Sequence, residues 1–340
     1  METMRLGRTG MMVSRTSFGV LPIQRTPMPE AVRILRRAFD SGINFYDTAR
    51  GYTDSEQKIG SALHDVRDRI FIATKSLSLT RDGLLRDLET SLRELRTDYV
   101  DVLQIHNPRL LPDPDDAGDY YAGMLEARQK GMTRFLGLTN HSLEIATRAA
   151  ESGLFDTIQF PLCHISSPAD LALSDLCRRL DLGLIAMKPL SGGLLTEART
   201  AFSFFRQYDN IVPIWGFQRM DELEEMLDLE AGPPALDDRM LATIERDRRE
   251  LSDEFCRACG YCLPCPADIQ IPMVARMSLI LKRMPAEQFL TPEWREKMNL
   301  VESCVECGNC RERCPYELVP PALMRKSLRQ YEEHLENMSK

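Results

Sequence analysis

Eight cysteines stand in two groups of four: Cys256, Cys259, Cys262 and Cys265 within "CRACGYCLPCP", and Cys304, Cys307, Cys310 and Cys314 within "CVECGNCRERCP". The spacings are C-x2-C-x2-C-x2-C-P and C-x2-C-x2-C-x3-C-P. Soft thiolates recurring every third or fourth residue are metal chemistry. The remaining two cysteines, Cys163 and Cys177, are isolated and suit core filling. A second set of reactive side chains lies far upstream, at the ends of apolar runs. Asp47 closes "INFYD", Tyr52 follows five residues later, Lys75 closes "IFIATK" and His106 closes "YVDVLQIH". A carboxylate, a phenol, an ammonium and an imidazole are the groups that move protons in acid–base catalysis.

Elements at regular intervals must position these groups. Short apolar runs at Ser17–Val20, Ile43–Thr48, Ile70–Lys75, Tyr99–His106, Arg134–Thr139, Thr157–Phe160, Gly183–Pro189 and Ile211–Gly216 predict eight strands. Amphipathic segments alternate with them. In "PEAVRILRRAFDSG", Ala31, Ile34, Leu35, Ala38 and Phe39 share one helical face and Gly42 stops the helix. The alternation predicts an α/β fold, a (β/α)8 barrel over residues 1–231. Catalytic groups of such barrels sit at the C-terminal ends of the strands. Each of Asp47, Tyr52, Lys75 and His106 has a structural explanation alone; four at successive strand ends form a site. A Gly-Pro-Pro break at 232–234 opens a linker over 232–252, with a charged helix at about Leu236–Leu251. A small, mainly helical domain is expected over 253–340, where "IPMVARMSLILKRMP" and "PPALMRKSLRQYEEHLENMSK" both predict helices.

The chain has 340 residues, 43% hydrophobic and 28% charged, enough for a large domain and a small one. A net charge of -8 argues against nucleic acid or an anionic membrane as partner. No apolar run approaches the ~20 residues of a membrane span, and "METMRLGRTGMMVSR" lacks the apolar stretch of a signal peptide. A cytoplasmic location is the expectation, and there the cysteines would not form structural disulfides.

"NFYDTARGYTDSEQKIGSAL", "FIATK" and "LQIHN" resemble the aldo-keto reductases, and "RLGRTGMMVSRTSFGV" resembles that family's N-terminal hairpin and first strand. The resemblance covers residues 1 to about 230. It implies an oxidoreductase that interconverts a small-molecule carbonyl and an alcohol, with Asp47, Tyr52, Lys75 and His106 as its catalytic tetrad. Tyr52 would be the general acid, with Lys75 the cation that favours its phenolate. Asp47 would anchor Lys75, and His106 would orient the carbonyl or share the proton. The resemblance also implies NADP or NAD in an extended groove. Asn140 and Gln159 would contact the nicotinamide carboxamide, with Met187 against the ring where the family places a tyrosine. Pro189, Leu190 and Gly192 would lie over the pyrophosphate. Gly216, Arg219 and Glu222 would lie at the adenosine end, where Glu222 occupies a position that often carries an arginine for the 2′-phosphate. NADH and NADPH both stay open.

The second cysteine group resembles the bacterial ferredoxin run, in which the fourth cysteine serves the other cluster. Two [4Fe-4S] clusters are then expected, one on Cys256, Cys259, Cys262 and Cys314, the other on Cys304, Cys307, Cys310 and Cys265. Paired CxxC elements also bind zinc, but a third cysteine at each x2 step fits cubane clusters better. The long segment between the groups resembles helical ferredoxin domains, and barrel and tail together resemble the aldo-keto reductases with a ferredoxin-like C-terminal domain. The clusters would be structural or would exchange electrons with a redox partner protein. A reading from a different class keeps the electron-transfer tail and makes the barrel chiefly a docking body for that partner.

Overall fold

The computed structural model of the chain describes residues 1–251, 255–283 and 286–338. Two short strands, β1 (Thr3–Arg5) and β2 (Met12–Ser14), pair antiparallel as a hairpin. Eight further strands follow: β3 (Ser17–Gly19), β4 (Phe45–Asp47), β5 (Phe71–Ser76), β6 (Val100–His106), β7 (Thr133–Thr139), β8 (Thr157–Pro161), β9 (Gly183–Met187) and β10 (Ile211–Trp215). They are parallel and close into a barrel in the order β10-β3-β4-β5-β6-β7-β8-β9. These are the eight runs expected from the sequence, each within one or two residues.

Helices follow the strands for reasons visible in their residues. Met28–Asp40 buries Ala31, Ile34, Leu35 and Ala38. Phe39, expected on the same face, is half-buried with the Arg69 guanidinium 4.8 Å from its ring centre. Pro168–Arg179 starts with a capping box in which the Ser167 hydroxyl accepts from the Asp170 N–H and the Asp170 carboxylate accepts from the Ser167 N–H. The hairpin closes one end of the barrel. Met4, Leu6, Met11 and Val13 join Phe45, Ala73, Val102, Ile185, Val212 and Ile214 in one buried cluster. A Cβ at Gly7 would lie 2.2 Å from the amide nitrogen of Gly183, the first residue of β9, so the hairpin turn rests on the N-terminal end of that strand. The C-terminal strand ends remain for chemistry.

Strand register settles which residues are neighbours there. Gly19 pairs with Asp47, Lys75 with Gln104, His106 with Thr139, and Thr139 with Gln159.

The chain forms two compact units, Met1–Pro189 with Arg199–Asp237, and Leu190–Ala198 with the residues from Asp238 onwards. The second unit opens with the helix Asp238–Glu250, the charged helix expected after the Gly-Pro-Pro break. The expected linker end at 252 and domain start at 253 lie outside the described residues. The single helix expected over "IPMVARMSLILKRMP" is instead two, Ile271–Val274 and Met277–Arg283, with 284 and 285 outside the described residues. The break has a local cause. The Pro272 carbonyl, which the Arg276 N–H would take in a continuous helix, accepts from the Arg276 Nε at 3.2 Å, and the Arg276 N–H turns to the Met273 carbonyl. The last helix runs Pro320–Met338, with 339 and 340 outside the description. Among the described residues no helix is long and apolar enough to cross a membrane.

Candidate active site and cysteine cavities

Asp47 is the hub of the first site. Its carboxylate accepts from Lys75 Nζ at 2.5 Å, from Gln104 Nε2 at 3.0 Å and from Gln159 Nε2 at 3.2 Å. Lys75 also donates to the Thr48 carbonyl at 2.7 Å. Asp47 and Lys75 are both buried, so each depends on the other for its charge. Lys75 Nζ lies 5.1 Å from the centre of the Tyr52 ring, and the Tyr52 and His106 rings meet edge to face at 5.8 Å. The structure thus gathers Asp47, Tyr52, Lys75 and His106 as the sequence suggested.

Tyr52 and His106 keep a partly exposed edge, yet the Tyr52 hydroxyl is pushed well above its ordinary pKa, first by burial and then by the Asp47 charge. The Lys75 ammonium, expected to favour the phenolate, bonds the Asp47 carboxylate and the Thr48 carbonyl and stays 5.1 Å from the Tyr52 ring centre. Burial lowers the Lys75 pKa against the opposing pull of Asp47. The His106 imidazole is pushed down to about 3 by burial and then by Lys75, so it is neutral at physiological pH.

Two partners were not foreseen. Gln104 sits inside the apolar run "VLQIH", and a lone amide in such a run is the signal that could have found it. Glu56, buried behind Lys75, accepts from the Thr74 hydroxyl at 2.6 Å, pairs with Arg50 and adds negative potential at Lys75. Burial raises its pKa.

The residues expected at a nicotinamide behave less uniformly. Gln159 places Nε2 on Asp47 and leaves Oε1 buried without a partner, an acceptor suited to a carboxamide N–H. Asn140, also buried, donates to the Pro108 carbonyl at 2.8 Å and accepts from the Ser142 N–H at 2.8 Å, so its amide ties its own loop to the one after β6. Met187 is half-buried against the barrel core, its sulfur accepting from the Thr139 hydroxyl at 3.9 Å. Pro189 ends the first segment of the barrel unit, and Leu190 and Gly192 group with the second unit. Gly216 lies against Pro22, whose ring carbon an added Cβ would approach at 2.7 Å. Arg219 is exposed and ion-paired with Asp221 at 3.1 Å and Glu222 at 3.0 Å. Glu222 also caps its helix, accepting from the Gln218 N–H at 2.8 Å.

The second unit surrounds two cavities with cysteines. One is lined by Cys256, Cys259, Cys262 and Cys314, together with Tyr316 and Ile271. The other is lined by Cys265, Cys304, Cys307 and Cys310, and by Cys262 and Ile271 from the first. The backbones of the two groups repeat each other. Ala258 and Glu306, each two residues after a first cysteine, have φ of 50° and 50°. Gly260 and Gly308, each after a second cysteine, have φ of 84° and 80°. Asp268 and Glu317, each three after a fourth cysteine, have φ of 53° and 54°. Left-handed residues thus recur at matched positions in the two groups. Among the described residues no three His, Cys, Asp or Glu side chains converge closely enough for a single ion. The eight cysteines instead line the two cavities.

A family model described as "4Fe-4S dicluster domain" matches residues 255–319, which contain all eight of these cysteines. The L-galactose dehydrogenase of Arabidopsis thaliana is 32% identical over 216 residues, 58% of this chain and 67% of the relative. The methylglyoxal reductase of Salmonella typhi is 34% identical over 123 residues, 34% of this chain and 44% of the relative, so the match spans less than half of that enzyme. Among solved structures, aldo-keto reductase AKR11C1 from Bacillus halodurans, in its holo form, superposes with a TM-score of 0.64 at 20% identity, covering 73% of this chain and 96% of the other. A Bombyx mori aldo-keto reductase in complex with NADP gives a TM-score of 0.57 at 20% identity, over 72% and 92% of the two chains. These two likenesses show the barrel fold. A family model described as "Aldo/keto reductase family" matches residues 9–203, more than half of the chain. With its barrel closed at one end, its acid–base cluster at the other and a dicluster domain following, this oxidoreductase belongs to the aldo/keto reductase family.

Proposed function

We propose that the barrel reduces a small aldehyde or ketone, and oxidises the alcohol in reverse, using NADH or NADPH. The observation that carries this is the Tyr52 ring set near both Lys75 and His106 at the strand ends, with Lys75 fixed by the buried Asp47. A bound nicotinamide supplies the hydride. Tyr52 then gives its hydroxyl proton to the oxygen of the substrate, and its raised pKa keeps that proton available through neutral pH. Lys75 stabilises the negative charge left on Tyr52, and His106, neutral, donates one hydrogen bond to the same oxygen. The unpartnered Gln159 Oε1 would accept from the carboxamide and fix which ring face is presented. The Bombyx mori relative is described with NADP, and the other named relatives are a dehydrogenase and a reductase, which supports the class of reaction.

For the second unit, the cavity linings support one [4Fe-4S] cluster on Cys256, Cys259, Cys262 and Cys314, and the other on Cys304, Cys307, Cys310 and Cys265. Cys307 is exposed, which favours electron exchange with a partner protein at that edge as a second role beside support of the fold. The test uses anaerobically purified holoprotein, a panel of aldehydes and ketones, and both nucleotides. Carbonyl-dependent nucleotide oxidation should vanish in Tyr52→Phe while nucleotide affinity stays within about twofold of wild type. The phenol contributes roughly 10²–10⁴-fold as an acid. Full activity in Tyr52→Phe would remove it from this role.

A further inference from the structure

Tyr52 is presented by the turn that leaves β4, and that turn is held from two sides. Its backbone first continues the pairing with β5: the Thr48 N–H donates to the Ala73 carbonyl at 2.8 Å and the Arg50 N–H to the Lys75 carbonyl at 3.0 Å. The Tyr52 N–H then donates to the Ala49 carbonyl at 3.0 Å, and the Ser55 N–H to the Tyr52 carbonyl at 2.9 Å, where the helix Ser55–Leu63 begins. Arg50 therefore joins the strand of Lys75 to the turn that carries the phenol.

The Arg50 side chain holds the turn from its other side. Nη1 donates to Glu56 Oε2, and Nη2 lies 2.6 Å from Glu94 Oε2. Glu56 belongs to the helix Ser55–Leu63 and Glu94 to the helix Arg81–Leu95. The Glu56 side chain is 1% exposed, and those of Glu94 and Arg50 are 17% and 20% exposed. Glu56 Oε1 is fixed in turn by the hydroxyl of Thr74, the residue before Lys75, at 2.6 Å. Two carboxylates this far out of water repel each other unless a cation stands between them. A planar fork with donors on both sides serves two carboxylates as a lysine does not. Ala49 and Gly51, on either side of Arg50, have no polar side chain that could take its place. A further tie, between the Thr48 and Ser55 hydroxyls at 2.7 Å, lies at the base of the turn and survives loss of the arginine.

We propose that Arg50 is a positioning residue for proton transfer: its guanidinium, anchored on Glu56 and Glu94, fixes the turn that sets the Tyr52 phenol beside Lys75, so that its loss slows the chemical step and spares nucleotide binding. This rests on the reading of Tyr52 as the proton donor. Arg50 acts through Tyr52 and does not itself carry the proton. A misplacement of about 1 Å in a reacting group can cost on the order of 10²-fold in rate.

The test compares wild type, Arg50→Ala, Arg50→Lys and Tyr52→Phe as anaerobic holoprotein. The carbonyl probe is the compound that wild type reduces fastest from a panel containing methylglyoxal and p-nitrobenzaldehyde. Arg50→Ala should lower kcat at least about tenfold, with KM and dissociation constants for NADH and NADPH within about twofold of wild type. Its solvent deuterium isotope effect on kcat should exceed that of wild type, because proton transfer has become slower. Arg50→Lys should recover part of kcat. Should Arg50→Ala fail to fold because Glu56 and Glu94 face each other without a cation, Arg50→Ala with Glu56→Gln removes one charge of each sign and reads the same quantities. A folded variant with the kcat or the isotope effect of wild type, or one that loses nucleotide affinity as much as kcat, overturns this proposal alone. Full activity in Tyr52→Phe, or wild type that reduces nothing in the panel, overturns the reading of Tyr52 and this proposal with it.

Discussion

Replacing Asp47 with asparagine removes the charge on which the buried Lys75 depends and keeps the shape. Lys75 would keep only uncharged hydrogen-bond acceptors, the Thr48 carbonyl and the asparagine oxygen, and Gln104 and Gln159 would lose a charged one. Leaving one member of a buried ion pair uncompensated costs about 3–5 kcal/mol. Burial already lowers the Lys75 pKa, so part of that cost is met by releasing the ammonium proton, and a destabilisation of about 3 kcal/mol is expected. Removing both charges, as Asp47→Asn with Lys75→Met, should recover most of it, because a buried pair replaced by apolar groups is often neutral. The coupling in the double-mutant cycle should therefore exceed about 1.5 kcal/mol. Denaturant unfolding in a Trp294→Phe background reports the barrel unit through Trp215, which is buried in β10. Additive effects within about 0.5 kcal/mol, or an Asp47→Asn cost below about 1 kcal/mol, would refute the claim that this pair is the electrostatic hub of the site.

Three further outcomes follow from the same geometry. His106 takes a proton only near pH 3, whereas an unfolded chain takes it near ~6.5. The unfolded state binds more protons between those values, so His106 leaves stability whole above pH ~6.5 and erodes it as pH falls towards 3. The pH profile of carbonyl reduction should correspondingly lack an acid limb centred near ~6.5; such a limb would mean that His106 titrates in the working enzyme. Cys314→Ser should disturb the cluster on Cys256, Cys259 and Cys262 and spare the one on Cys304, Cys307 and Cys310, and spectroscopy that shows the reverse refutes the exchange of fourth ligands. Arg219 is offset by Asp221 and Glu222, so NADPH should bind no more tightly than NADH, and Asp221→Asn should shift preference towards NADPH; tighter NADPH binding by wild type would contradict that balance.

Much of this was legible because the relevant signals are local. An apolar run that ends in Asp47, Lys75 or His106 states both a strand and the face on which it ends. The cysteine spacings likewise carry their own geometry. What escaped depends on contacts made across the fold. Gln104 looks like an interruption of β6 until register sets it beside Lys75 and its amide reaches Asp47. The upward shift of the Tyr52 hydroxyl comes first from burial and then from the Asp47 charge, both matters of packing. Asn140 bonds the Pro108 carbonyl of the loop after β6 and Glu222 caps its own helix, partners that only the fold reveals. Arg276 sits in a stretch with helical periodicity, and only the folded chain reveals its guanidinium on the Pro272 and Gly192 carbonyls. The left-handed conformations of Ala258 and Glu306 were invisible because neither is a glycine.

The central claim is hydride transfer to a carbonyl carbon with Tyr52 as the proton donor. Its most direct test is anaerobic turnover of the holoprotein with nucleotide deuterated at the transferring carbon of the nicotinamide, followed by mass analysis of the product alcohol. Deuterium retained on the former carbonyl carbon, from one ring face only and absent in Tyr52→Phe, is the predicted result. Label lost to solvent, or nucleotide consumed with the electrons held in the clusters and no labelled alcohol formed, would contradict it.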